Sequence, residues 1–180
     1  MTAHLRTEAY LREGLYAESW PLYLGYYSLA PAPGDDRKVV RIPSGDGRVC
    51  WTAIADLGLA SALVLAAEPG NGDGDEYAGR TFYLSTRPGA ARTVAEVAAL
   101  VGRARGEEVR VEVGPRDEVE RYYVRERGMA EPYVRWWSST YEALRDGEAL
   151  VDDPTLERLL ASVGVTPTGI EGIVERMVKG

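Results

Sequence analysis

Between residues 81 and 113 the chain spells out a strand, a helix and a second strand in quick succession. Thr81-Phe82-Tyr83-Leu84 is rich in aromatic and β-branched residues and reads as a strand. Thr93-Val94-Ala95-Glu96 carries the Thr-x-x-Glu pattern in which hydroxyl and carboxylate each satisfy the other's free backbone N–H, and Val97, Leu100 and Val101 continue at helical spacing. Gly106 closes that helix, and Val109-Arg110-Val111-Glu112-Val113 alternates as a half-buried strand. This alternation predicts a mixed α/β domain.

The flanking sequence extends the pattern. Thr2 to Leu11 holds good helix formers and reads as a helix or its tail. Pro31, Pro33, Gly34, Asp35 and Asp36 mark a loop. Lys38 to Ile42 and Arg48 to Trp51 are predicted as short strands, joined in a hairpin through Ser44-Gly45-Asp46-Gly47. Asp56 stands where an N-cap belongs, ahead of Leu57, Ala60, Leu63, Val64 and Ala67 at helical spacing. Asn71-Gly72-Asp73-Gly74-Asp75-Glu76 resembles the start of a calcium loop, but Glu76 takes the glycine position and Phe82 that of the closing carboxylate, so it reads as a solvated turn. Pro115 opens a helix with Asp117 and Glu118 in its first turn and Arg125 and Arg127 near its end. Tyr133, Trp137 and Tyr141 form an aromatic stripe on the next helix, expected in the core. Asp153-Pro154 caps a helix carrying Leu156, Leu159 and Leu160, and Thr168-Gly169-Ile170-Glu171 reads as a second capping box that starts a terminal helix. The whole reads as one domain, residues 1–180, helix-rich toward the end.

Composition narrows the function. A chain of 180 residues supports one core. The net charge of -7 argues against a nucleic-acid partner, which needs clustered cations to release counterions. The most apolar window, Leu57 to Ala67, is too short to span a bilayer, and Met1 to Arg6 lacks the apolar core of a secretory signal. A lone cysteine, Cys50, permits no intrachain disulfide, which suits the cytoplasm. One Cys and one His (Cys50 and His4) cannot build a tetrahedral zinc site, and His4 is too near the terminus to serve as a pre-organised base. No metal site is expected and no catalytic residue is assigned.

Arg12-Glu13-Gly14-Leu15-Tyr16-Ala17-Glu18-Ser19-Trp20 packs a cation, carboxylates, a glycine, a phenol and an indole into one segment. No apolar period runs through Arg12 to Glu18, so it reads as a loop, and Trp20, Tyr23 and Tyr27 then recur at helical spacing. Such a loop suits a pocket wall; a surface turn before a core helix is the alternative. The glycines do not assemble a dinucleotide loop. Gly70 and Gly72 are followed by Asp75, Gly45 and Gly47 by Cys50, and neither pair is expected between a strand and a helix. No Walker-type triphosphate loop is present either.

Three segments, His4-Leu5-Arg6-Thr7-Glu8, Arg12-Glu13-Gly14-Leu15-Tyr16-Ala17-Glu18-Ser19 and Trp51-Thr52-Ala53-Ile54-Ala55-Asp56-Leu57, taken in order with Gly79-Arg80-Thr81-Phe82-Tyr83-Leu84, resemble the C-terminal half of NmrA-like proteins. These are atypical short-chain dehydrogenase/reductase relatives that include NAD(P)H-dependent quinone reductases and redox-sensing regulators. The resemblance implies the C-terminal, substrate-binding portion of a Rossmann-type fold, with short strands and with the nucleotide-binding half missing. It also implies that a strand is lost before Arg12, since Glu8 is followed almost at once by that residue. Ser19 replaces the family's usual Asn, and Gly58 its usual Ala.

By resemblance, Gly14, Tyr16 and Glu18 border a substrate or effector pocket, Arg12 positions their loop, and Tyr16 and His4 lie toward the cofactor, NADP or NAD. Trp20 and Trp51 join as expected lining on residue type alone. The function implied is that of a truncated NAD(P)H-dependent oxidoreductase, inactive as an isolated chain. The alternatives are a non-enzymatic redox-sensing regulator or interaction module, and a fragment of a full-length quinone-type reductase. A homo-oligomer or a partner protein would cover the strand edges that a missing sheet leaves open.

Overall fold

The computed structural model describes residues 9–25, 38–67 and 77–180. His4, most of the predicted N-terminal helix, Tyr27, the proline-rich loop and the calcium-like turn lie outside them.

The chain is α/β and helix-rich. Strand β1 (Tyr10–Glu13) runs through a short 3-10 turn, Ala17–Ser19, into the one-turn helix α1 (Trp20–Tyr23). Then follow β2 (Val39–Pro43), α2 (Ile54–Ala66), β3 (Thr81–Leu84), α3 (Val94–Arg105) and β4 (Arg110–Gly114). Four helices complete the chain: α4 (Arg116–Arg125), α5 (Glu131–Arg145), α6 (Thr155–Ser162) and α7 (Ile170–Lys179).

The strands form two separate parallel pairs. β1 pairs with β3 from Tyr10 opposite Thr81 to Glu13 opposite Leu84, and β2 pairs with β4 from Val39 opposite Arg110 to Pro43 opposite Gly114. Parallel partners need a crossover, and α2 and α3 supply it. A larger core gathers Trp20, Tyr23, Ile42, Trp51, Val101, Trp137, Tyr141 and Ile173 between β2–β4 and helices α1, α3, α5 and α7. A smaller one packs Leu57 and Ala60 of α2 and Leu156, Leu159 and Leu160 of α6 onto Phe82 and Leu84 of β3. The predicted aromatic stripe lies in the larger core. Trp137 meets Tyr141 edge-on at 5.6 Å and Tyr123 at 4.9 Å, and the Tyr141 hydroxyl donates to the Tyr23 carbonyl. Burial pushes the Tyr141 phenol well above its ordinary pKa, so it stays a proton donor.

Several local expectations hold. The α3 capping box is complete, with Thr93 Oγ1 accepting from the Glu96 amide at 3.1 Å and Glu96 Oε2 from the Thr93 amide at 2.7 Å, and Gly106 ends the helix in the left-handed region at φ 73°. Others need correction. Tyr10 to Glu13 form a strand, not helix or loop, so a short strand does precede Gly14. The predicted hairpin is absent: Arg48 to Trp51 form no strand, and Val49 makes only an isolated bridge to Arg92.

The glycines of that stretch serve packing. A Cβ on Gly45, which sits at φ 137°, would lie 2.5 Å from the Tyr141 carbonyl oxygen, and one on Gly47 would overlap the Leu144 carbonyl. Gly45 and Gly47 therefore do lie between a strand and a helix, β2 and α2, contrary to expectation, but they press against α5 and leave no cradle for a phosphate. Asp46 between them reaches the start of α3 and accepts from the Val94 amide at 2.7 Å.

Two expected caps are also different. Asp56 lies inside α2 rather than at its N-cap, and its carboxylate accepts from the Thr168 amide at 2.6 Å and Thr168 Oγ1 at 3.0 Å. Thr168 is thereby engaged away from α7, whose N-cap is Gly169, so the second capping box does not form. A buried carboxylate needs partners, and this tertiary pair outweighs both local caps.

Candidate functional site

The carboxyl end of β1 turns sharply at Gly14. The Gly14 amide still bonds Leu84 of β3 at 2.8 Å, and the chain then crosses to the segment before α2, where the Thr52 amide donates to Leu15 O at 2.9 Å and the Ala17 amide to Thr52 O at 2.8 Å. Tyr16 and Thr52 thus form a parallel bridge that links the two halves of the molecule. Beneath the turn lies a buried hydroxyl cluster. Thr52 Oγ1 donates to Cys50 O at 3.1 Å and accepts from the Thr86 amide at 3.0 Å; Thr86 Oγ1 donates to Trp51 O and Ser85 Oγ to Thr86 O, both at 3.1 Å. A Cβ on Gly14 would sit 2.7 Å from Ser85 Oγ and 2.8 Å from Thr52 Oγ1, so only glycine lets the turn lie this low.

Above the turn is an open depression of about 250 Å³ lined by Glu13, Gly14, Leu15, Tyr16, Ser19, Leu22 and Tyr23. Tyr16 is 40% exposed, and its hydroxyl donates to Glu13 Oε2 at 2.6 Å. That hydrogen bond, followed by the negative charge of Glu13, raises the phenol's pKa, so Tyr16 holds its proton at neutral pH. With the phenol's proton donated to Glu13, the pair presents acceptor sites beside the apolar faces of Leu15, Leu22 and Tyr23, and a ligand that takes the place of Glu13 would gain the phenol's one donor. The arrangement suits a small ligand with a flat apolar body and one polar end.

Of the residues singled out from sequence, Gly14 and Tyr16 line this depression and the rest do not. Arg12 lies on β1 outside it, with Nη1 donating to the Tyr83 hydroxyl at 3.1 Å. Glu18 turns toward α2 and accepts from the Ile54 amide at 3.0 Å, supplying the helix with a remote cap. Trp20 and Trp51 are core residues, 0% and 2% exposed; the Trp51 indole N–H donates to Arg92 O at 3.1 Å, and its ring meets Tyr23 edge-on at 5.4 Å. His4 lies outside the described residues. Sequence reasoning did not select Glu13, Leu15, Ser19, Leu22 or Tyr23. The Glu13-x-x-Tyr16 spacing across a glycine turn was the available signal for the first.

A larger hollow of about 480 Å³ lies beside α4 and α5, but it is lined by paired charges, including Arg121–Asp117 at 3.1 Å and Arg135–Glu131 at 2.6 Å, and reads as a solvated groove. Among the described residues no cluster of His, Cys, Asp and Glu is arranged to hold a metal ion. No described helix is long and apolar enough to cross a membrane. Among the described residues, Gly45 and Gly47 between β2 and α2 are pressed against α5 and form no phosphate cradle.

Parallel strands joined by helical crossovers, with a depression at the carboxyl end of one pair, define a partial Rossmann-type α/β fold. Solved structures agree. The chain superimposes on triphenylmethane reductase from Citrobacter sp. with TM-score 0.71 at 21% identity over 96% of this chain and 54% of that one. It matches an NADPH-dependent quinone oxidoreductase from Escherichia coli with TM-score 0.68 at 20% identity, covering 94% of this chain and 55% of that one. Leucoanthocyanidin reductase from Vitis vinifera, solved with NADPH, gives 0.62 at 15% identity over 96% and 54%. At these identities the likeness is one of fold, and the chain spans about half the length of each neighbour. No protein-family model matches the sequence, and no curated protein matches it.

Proposed function

We propose that the chain forms the substrate-side portion of an NmrA-like, NAD(P)H-dependent reductase, with the depression at Tyr16 receiving a small flat substrate such as a quinone. One observation carries this reading. The depression lies at the carboxyl end of the parallel pair β1–β3, where open α/β sheets bind their ligands. Two neighbours, by name a triphenylmethane reductase and an NADPH-dependent quinone oxidoreductase, support it. On binding, the Tyr16 hydroxyl would exchange Glu13 for the substrate's carbonyl as its acceptor, and Leu22 and Tyr23 would face the ring. No hydride step is assigned to the described residues; NADP or NAD would bring its nicotinamide to the Tyr16 depression, and Gly45 and Gly47 would not hold its phosphates.

Titration of the purified chain with a naphthoquinone, followed by protein fluorescence, tests the substrate half of this reading. Saturable quenching that weakens in Tyr16→Phe and Leu22→Ala is expected; identical quenching in wild type and variants would overturn it. A parallel NADPH titration is expected to show no saturable binding to the chain alone. A second reading, a non-enzymatic interaction module, draws on the exposed apolar face of α2.

A further inference from the structure

The Glu13–Tyr16 pair has a polarity. The Tyr16 hydroxyl gives its one proton to Glu13 Oε2 at 2.6 Å, and both residues line the depression. Side chains alternate along β1, and Arg12 turns away from the pair, with Nη1 meeting the Tyr83 hydroxyl at 3.1 Å. Among the described residues the Glu13 side chain has no Lys or Arg partner and no hydrogen bond besides that from Tyr16. Its carboxylate therefore keeps free acceptor positions beside Leu15, Leu22 and Tyr23. The Ser19 hydroxyl, on the same wall, can donate or accept and so favours neither kind of ligand. The apolar side is fixed. The Tyr23 carbonyl accepts from the Tyr141 hydroxyl, and the Tyr23 ring meets Trp51 edge-on at 5.4 Å.

We propose that the depression selects a flat aromatic ring bearing a hydroxyl donor, and holds a hydroquinone more tightly than the quinone it comes from. A quinone carries acceptors only. To bond Tyr16 it must displace Glu13, which leaves the carboxylate unpartnered beside the quinone's own oxygen. A hydroquinone O–H donates to the carboxylate and leaves the Tyr16 bond in place. A hydrogen bond to an ionised acceptor is stronger than one between neutral groups, which sets the preference at about tenfold in dissociation constant. Quinone and hydroquinone differ by two electrons and two protons, so that preference raises the midpoint potential of the bound couple by about 30 mV. The inference rests on the reductase reading for the choice of a quinone couple; the demand for a donor rests on the geometry of Glu13 and Tyr16.

Calorimetric titration under argon compares three ligands: a naphthoquinone, the dihydroxynaphthalene it is reduced to, and the matching dimethoxynaphthalene, which has the same ring and no O–H. The dihydroxy compound is expected to bind the wild-type chain about tenfold more tightly than either of the others. Glu13→Gln offers a neutral acceptor and a donor, and is expected to bring quinone and hydroquinone within about twofold of each other. Glu13 is exposed, and far-UV circular dichroism checks that the variant keeps its fold. Equal affinity of the wild type for quinone and hydroquinone would overturn the proposal, as would a preference that survives Glu13→Gln. The dimethoxy comparison needs no variant, and binding as tight as that of the dihydroxy compound also sinks the idea. Quinone binding that weakens in Tyr16→Phe, with no preference for the reduced form, keeps the reductase reading and removes this inference. Hydroquinone binding without any quinone binding keeps the inference and removes that reading.

Discussion

The Glu18 carboxylate caps helix α2 from outside it, accepting the Ile54 amide at 3.0 Å across a separation of 36 residues. The N-cap itself, Ala53, has no side chain that can do this. The turn that shapes the Tyr16 depression therefore also holds the start of α2. Glu18→Ala is expected to cost about 0.5–1 kcal/mol, at the lower end of the capping range because the pair is partly solvated. Urea unfolding measures it, and Glu18→Gln should recover part of the loss.

Gly14 has no space for a methyl group over Thr52 and Ser85. Gly14→Ala is expected to destabilise by about 1–3 kcal/mol through overpacking. The double variant with Ser85→Gly, which removes one of the clashing side chains, should be less destabilised than additivity predicts.

Asp56 and Thr168 tie α2 to the start of α7 through two hydrogen bonds. Asp56→Ala leaves the half-buried Thr168 amide and hydroxyl without their acceptor and is expected to cost about 1–2 kcal/mol. Amide exchange at the first turn of α7 should accelerate more than exchange in α4.

Asp153 supplies a pH dependence. Burial alone would raise its pKa, but hydrogen bonds from the Thr155 hydroxyl, the Tyr83 amide and the Thr155 amide, with Arg158 nearby, bring it below the ordinary value. Its folded-state pKa thus lies below the unfolded one, so its contribution is complete above the unfolded value and is lost as pH falls through the folded one. Asp153→Asn is expected to flatten the acid limb of the stability profile while leaving its shape above neutral pH unchanged, as followed by thermal melts across pH.

The Tyr16 phenol reports on Glu13. Glu13→Gln removes the charge and weakens the acceptor that raise the Tyr16 pKa, so ultraviolet titration should show one tyrosine ionising at lower pH than in wild type. An unchanged titration curve would show that the pair does not form in solution.

Elements set by local chemistry were legible in the sequence. The α3 capping box, Gly106, the helix after Pro115 and the aromatic stripe on α5 all depend on neighbours a few residues away. What was not legible depends on long-range choices. Asp56 and Thr168 each carry a local capping signature, and each is diverted by the other. Gly45 and Gly47 look like hairpin glycines, while their real constraint is an α5 backbone about a hundred residues on. The site was half legible for the same reason. Gly14 and Tyr16 stand on the turn itself, whereas Trp20 and Trp51, chosen for residue type, satisfy the core first.

The division into two cores has a dynamic consequence. The smaller one rests on a four-residue strand pair and three apolar residues of α6, and is joined to the larger by polar ties: the Tyr16–Thr52 bridge, the hydroxyls beneath it, the Glu18–Ile54 cap and the Asp56–Thr168 pair. It can open as a unit while Trp20, Trp137 and Tyr141 stay packed. Amide exchange should then resolve two tiers of protection, with α2, β1 and β3 in the faster. The part of the molecule that carries the exposed apolar face of α2 is also the part that yields first, so anything that covers that face would be felt as a slowing of its opening rather than as a change of shape.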